Sequence, residues 1–142
     1  MTYAYVANTG GGTVSKINLS TFTVVGTALA VGAGPYALAI DPTGTYAYTS
    51  NQNGNTVSKI NLSTFTVVGT ALAVGTQPEG IAIDPTGTYA YVANSSSNTV
   101  SKINLSTFTV VGTALAVGSV PQGITIAPAS KSNAGFFAFM GN

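Results

Sequence analysis

The segment at residues 13–32, TVSKINLSTFTVVGTALAVG, recurs without a change at 56–75 and again at 99–118, so the chain is one unit written three times. The step between copies is constant at 43 residues. Repeats of about 40–50 residues mark stacked or circular arrays, in which no unit buries its apolar surface alone and each needs a neighbour. Identity this complete is the mark of recent duplication or of deliberate design.

Thr, Val, Ile, Tyr and Phe dominate the unit, and clusters of Gly, Pro and Asn interrupt them every eight to twelve residues or so, the punctuation of an all-β chain. Four strands per unit are predicted, which in the middle unit cover 80–83, 88–93, 99–104 and 109–117. Asp41-Pro42-Thr43-Gly44 and Asp84-Pro85-Thr86-Gly87 fit a type I turn joining the first two strands, with Pro setting φ and Gly taking the left-handed position. Asn-Leu-Ser-Thr at 18–21, 61–64 and 104–107 makes the turn from the third strand to the fourth, which accounts for those asparagines better than their N-x-S sequons do. Tyr3 and Tyr5 lie on one side of the second strand and Ala4 and Val6 on the other, so both faces are apolar or aromatic. A strand covered on both faces belongs to a sheet held between other sheets. Four short antiparallel strands per repeat, each sheet between two like itself, describe the blades of a β-propeller.

The stretches TYAYVAN at 88–94, NTVSKIN at 98–104 and PEGIAIDPTG at 78–87 carry a resemblance to the YVTN type of propeller repeat, a relative of the NHL type. Lys16, Lys59 and Lys102 depart from it, since an aliphatic residue is usual there. The resemblance implies a secreted or cell-surface propeller acting mainly as a binding scaffold.

The repeat is cut out of phase. Thr2 begins the second strand of a unit, and the matching first strand appears only at the far end, as Gly123-Ile124-Thr125-Ile126 preceded by Pro121. Residues 1–128 therefore hold three blades, with blade one divided between the N-terminus and 121–127, and residues 129–142 form an apolar tail around FFAFM at 136–140. Closed propellers run from about four blades upward, so three cannot make a ring and two chains give six. In that homodimer the assembly residues Gly123, Ile124, Thr125 and Ile126 of one chain pair with Thr2, Tyr3, Ala4, Tyr5, Val6 and Ala7 of the other. A fragment of a longer propeller, or a filament that fails to close, are the alternatives.

Charged residues make up 5% of the chain, against roughly a quarter in an average globular protein. A net charge of +1, from four lysines and no arginine, cannot neutralise a run of phosphates, so neither nucleic acid nor an anionic membrane surface is an expected partner. There is no cysteine, which removes disulfides, thiolates and zinc–sulfur sites. No apolar run reaches the ~20 residues of a membrane span. The chain opens Met1-Thr2-Tyr3 with no basic and apolar leader, and no secretion signal is expected in it.

Between the first two copies every change falls in 6–12 against 49–55 or in 33–38 against 76–81, stretches that read as the connections from strand two to strand three and from one blade to the next, which emerge on the same rim. Loops that vary on a constant scaffold are where recognition concentrates. The candidate ligand-binding residues are Asn51, Gln52, Asn53, Asn94 and Ser95 from one loop set, with Asn8 and Ser96 beside them, and Tyr36, Gln77, Glu79 and Gln122 from the other. Amides and hydroxyls around Tyr rings suit a neutral polar ligand such as a glycan. The tyrosine pairs of the second strands read as interblade packing, and the lysines as a solvated outer ring. Histidine is absent, and the carboxylates are only Asp41, Glu79 and Asp84, the two aspartates being accounted for by their turns. No triad, acid–base pair, metal site or cofactor site is expected. On these grounds the chain reads as a non-catalytic scaffold that assembles by strand exchange and not as an enzyme, with a lectin-like propeller as the alternative.

Overall fold

Residues 2–129 are described by the computed structural model, and the three copies of the repeat fold into three antiparallel sheets. The first contains β1 (Tyr3–Asn8), β2 (Thr13–Asn18), β3 (Thr23–Val24) and β4 (Leu29–Ala30). The second contains β5 (Pro35–Ile40), β6 (Tyr46–Asn51), β7 (Thr56–Asn61), β8 (Thr66–Val67) and β9 (Leu72–Ala73). The third repeats the second with β10 (Pro78–Ile83), β11 (Tyr89–Asn94), β12 (Thr99–Asn104), β13 (Thr109–Val110) and β14 (Leu115–Ala116). The architecture is all-β, in the manner of a β-propeller.

The fourth strand is not the continuous 109–117 run expected from sequence. Ile103 faces Val110 while Val100 faces Leu115, so five steps along the outer chain span three along β12. Gly112 turns the surplus out at φ 65, a left-handed value that side chains resist. Backbone bonds from Val111 to Lys102 and from Val117 to Asn98 hold both halves to the same edge.

The turns work as their residues dictate. Asp41 Oδ1 accepts from the amides of Thr45 and Tyr46 at 2.8 and 3.3 Å, and the Gly44 amide closes on the Asp41 carbonyl at 3.0 Å. Asn18 Oδ1 takes the amides of Ser20 and Thr21, and Asn61 and Asn104 do the same in their units. Each such turn ends on a phenylalanine with left-handed backbone, Phe22, Phe65 and Phe108, at φ 52, 51 and 51.

Those phenylalanines join one sheet to the next. Phe65 lies 5.9 Å from the ring of Tyr5, and Phe108 lies 5.9 Å from that of Tyr48. Around the first pair Val14, Leu29 and Val31 meet Ala47, Ile60 and Leu62. Around the second, Val57, Leu72 and Val74 meet Ala90, Ile103 and Leu105. The apolar residues named at the two joints correspond one for one.

Residues 121–129 form no strand within the chain, and the pairing expected of 123–126 is with a second chain. Their anchor is the Gln122 carbonyl, which accepts from the Gly80 amide at 2.7 Å. The segment runs so close that a Cβ on Gly80 would overlap it. On the opposite side of the array β1 ends the first sheet, with no inner strand beside it among the described residues. The apolar tail expected around 136–140 lies outside the described residues.

Burial alone would raise the Asp84 carboxyl, but hydrogen bonds from the Thr88, Tyr89 and Gly87 amides and the Thr86 hydroxyl outweigh it and hold the pKa below 3.8. A lowered folded pKa adds stability that is present above the unfolded value and lost as pH falls through the folded one. Thermal unfolding should therefore show a drop between about pH 5 and pH 2 that is shallower in Asp84→Asn, the variant being the less stable protein at pH 7. Parallel curves would contradict this account of the turn.

Candidate functional site

Both complete inner strands break register at the same place. Pairing slips between Pro35 and Ala37 in β5, and between Pro78 and Ile81 in β10. A bulge frees its residue from the ladder and re-aims it. The freed positions are Tyr36 and Glu79, and Gln122 is their counterpart in the third copy. An aromatic and an acid thus occupy one structural position in two successive sheets, and an amide stands at the matching sequence position of the third copy.

Glu79 is 5% exposed. Its main-chain carbonyl accepts from the Ser50 hydroxyl, and its Oε1 accepts from Gln52 Nε2 at 2.8 Å. Oε2 is buried and has no hydrogen-bond partner among the described residues, and neither has the buried Thr49 Oγ1. A carboxylate shut away from water is costly unless hydrogen-bonded, so this acid is half satisfied. Thr49 and Ser50 escaped the sequence reading, although a signal was present. They replace the Val-Ala of 6–7 and 92–93 at strand positions that are otherwise apolar.

The loop residues expected to bind are mostly engaged with the protein itself. Asn51 Nδ2 donates to Thr56 and Ser58 at 3.1 and 2.9 Å, Asn94 to Thr99 and Ser101 at 3.2 and 2.9 Å, and Asn8 to Thr13 and Ser15 at 3.2 and 2.8 Å. Asn51 and Asn94 are wholly buried, seated where Gly32 and Gly75 leave room. They clamp strand to strand and present nothing to solvent. Ser95 is buried as well, its amide and hydroxyl both on the Gln77 carbonyl at 2.9 and 3.0 Å. Gln77 accepts from the Ser96 hydroxyl through Oε1, and its amide donates to Asn55 at 2.9 Å. Gln52 and Asn53 bond back to Gly34 and Ala33 at 2.7 and 3.1 Å. The two loop sets therefore do meet on one rim, and Tyr36, Asn53, Gln77, Ser96 and Gln122 are the candidates left exposed there.

The opposite rim carries a cleft at each joint. One, of about 480 Å³, is lined by Tyr3, Tyr5, Lys16 and Leu62. The other, of about 330 Å³, is lined by Asp41, Tyr46, Tyr48, Lys59 and Leu105. Lys16, Lys59 and Lys102 do not form a free solvated ring. Each ammonium lies 4.1 Å from the centre of the tyrosine ring beside it, on Tyr3, Tyr46 and Tyr89. Burial first, then the charge of Asp41 and the neighbouring Tyr46, pushes the Tyr48 phenol up to about 12, which keeps it protonated at neutral pH. Among the described residues no three of the acidic, histidine or cysteine side chains gather in a metal-binding group.

Residues 1–113 match the family described as lactonase, seven-bladed β-propeller. Among solved structures, the hydrazine synthase of Kuenenia stuttgartiensis is similar at a TM-score of 0.83 and 28% identity, over 89% of this chain and 36% of that one. A putative 6-phosphogluconolactonase from Bacteroides fragilis is similar at 0.73 and 22% identity, over 88% and 38%. A dihydro-heme d1 dehydrogenase is similar at 0.67 and 15% identity, over 80% and 24%. The chain thus spans about a third of the length of these structures. No curated protein matches it.

The family match overturns the expectation that the chain is not an enzyme, because the family is described as a lactonase. It also leaves the non-catalytic scaffold without support. The error was to weigh an inventory of residue types. Histidine is one general base among several, and a single carboxylate in a dry, hydrogen-bonded setting is another.

The clamp role of the asparagines predicts that Gly75→Ala lowers stability by about 1–3 kcal/mol, because the new methyl must displace a buried carboxamide with nowhere to go. Gly10→Ala, where nothing lies within 4 Å, should change the unfolding midpoint little by comparison. Equal midpoints for the two variants would contradict the packing described.

Proposed function

Since the chain belongs to the lactonase family of seven-bladed β-propellers, we propose that it contributes an inner wall on which a cyclic ester is hydrolysed, with Glu79 as the proton-transfer group. The observation that carries this reading is the half-satisfied carboxylate, with Oε1 held by Gln52 and Oε2 without a partner among the described residues. Once the loop at Gln52 yields and lets a water reach Oε2, which the single chain keeps buried, the carboxylate takes a proton from that water as the water's oxygen bonds to the ester carbonyl carbon. The ring C–O bond then breaks, the departing oxygen takes the proton back, and the product is an open-chain hydroxy acid. Tyr36 and Gln122, at the same position on either side, supply a stacking face and an amide for a polyhydroxylated lactone. Within the family, TYAYVAN at 88–94 supports the narrower YVTN type.

A ring needs more than three sheets. In this proposal a second copy supplies three more, six from twice the three of one chain and one fewer than the family's description gives, and residues 121–126 of each chain complete the first sheet of the other. A glycan-binding rim is not favoured, because Asn51, Asn94 and Ser95 are buried in bonds to the protein.

The test is hydrolysis of a sugar δ-lactone, followed by acid release against the buffer rate. Wild type should exceed buffer, and Glu79→Gln, which keeps the shape and the Gln52 contact, should lose about a hundredfold or more. A wild-type rate equal to buffer, or an undiminished Glu79→Gln, overturns the reading.

A further inference from the structure

Each joint between sheets uses two faces, and the array leaves one of each unused. The face that receives the next sheet presents Tyr5, Leu29 and Val31 in the first copy and Tyr48, Leu72 and Val74 in the second. In the third copy the same positions are Tyr91, Leu115 and Val117, with no sheet beyond them among the described residues. Leu115 and Val117 are exposed there. The face that docks onto a preceding sheet presents Leu62 with Phe65, and Leu105 with Phe108. In the first copy these are Leu19 and Phe22.

The difference in burial is large. Leu62 and Leu105 are 8% and 5% exposed, whereas Leu19 is 44% exposed and Phe22 80%. Phe22 nevertheless keeps the left-handed backbone of its counterparts, φ 52 against 51, a conformation that costs free energy and persists where packing rewards it. In Phe65 and Phe108 the reward is the tyrosine ring of the preceding sheet.

We infer that Phe22 and Leu19 of one chain dock on Tyr91 and Leu115 of a second copy of the same chain, and reciprocally, so that two identical joints close the pair. The inference deepens the proposed ring and rests on that part of the reading. A second copy is the occupant because the chain has already built this joint twice from the same residues, and an identical partner carries the complementary face by necessity. The alternatives are separable. Further sheets of a longer chain would leave this chain alone a monomer, and an open head-to-tail series would grow without limit.

The experiment uses the full chain, with its mass measured by light scattering after size exclusion. A mass of twice 14.2 kDa is expected, and a monomer or a broad high-mass species overturns the inference. Phe22→Asp should weaken the dimer about a hundredfold or more, since it removes the ring that packs on the facing tyrosine and buries a charge in its place, while Phe22→Leu should retain it. Because Phe22 is exposed in the single chain, the Asp variant should keep wild-type circular dichroism, and a dimer that survives the change overturns the inference. The chain has no cysteine, so Phe22→Cys with Tyr91→Cys places the only thiols at the joint. A short bifunctional maleimide should then give covalent dimers and nothing larger, and a ladder or no product counts against closure. None of these readouts measures hydrolysis, so failure of the Glu79 chemistry and failure of this joint are distinguishable.

Discussion

A β-sheet has two faces, and in this chain neither is polar enough to be left to water. That constraint governs which residues are buried. Tyr48, Val57 and Ile60 all belong to the second sheet, the one with a neighbour on both sides, whereas of the same side chains in the outer sheets only those that face a joint, Val14 and Ile103, are fully buried and Tyr5, Ile17, Tyr91 and Val100 are half covered. Fully burying a side chain such as Leu is worth about 1.5–3 kcal/mol. Stability here accrues at the joints between sheets, and a sheet alone would have little of it.

Much of this was legible in the residues. The 43-residue step announced the sheets, and the Asp-Pro-Thr-Gly and Asn-Leu-Ser-Thr turns declared their geometry, because turn chemistry is local. What escaped the reading depended on distance. The strand expected at 109–117 ran straight through Gly112, and only the pairing with β12 shows two surplus residues expelled there. Asn51 and Asn94 looked like loop tips, yet the third strand captures their amides. The lysines looked solvated because nothing along the sequence says that a tyrosine ring lies 4.1 Å away on the neighbouring strand.

The proposed site was the least legible part, for a related reason. Residue inventory excludes imidazole and thiolate chemistry, but it cannot report what surrounds one carboxylate. Three features had to coincide at Glu79: a bulge in β10, a polar Thr49-Ser50 pair where the other copies are apolar, and Gln52 reaching across the joint. The first is backbone geometry and the last spans two units. Only the polar pair could be found by aligning the copies.

Near-perfect repetition also carries a hazard for the folding chain. Any copy of the docking face can fit any copy of the receiving face, so apolar packing alone cannot tell neighbouring order from a skipped or crossed arrangement. The Gln52–Glu79 bond exists at one joint only, because the first joint offers the Thr9 hydroxyl to the Pro35 carbonyl instead. These polar contacts act as addresses written on otherwise interchangeable parts, marking which unit follows which.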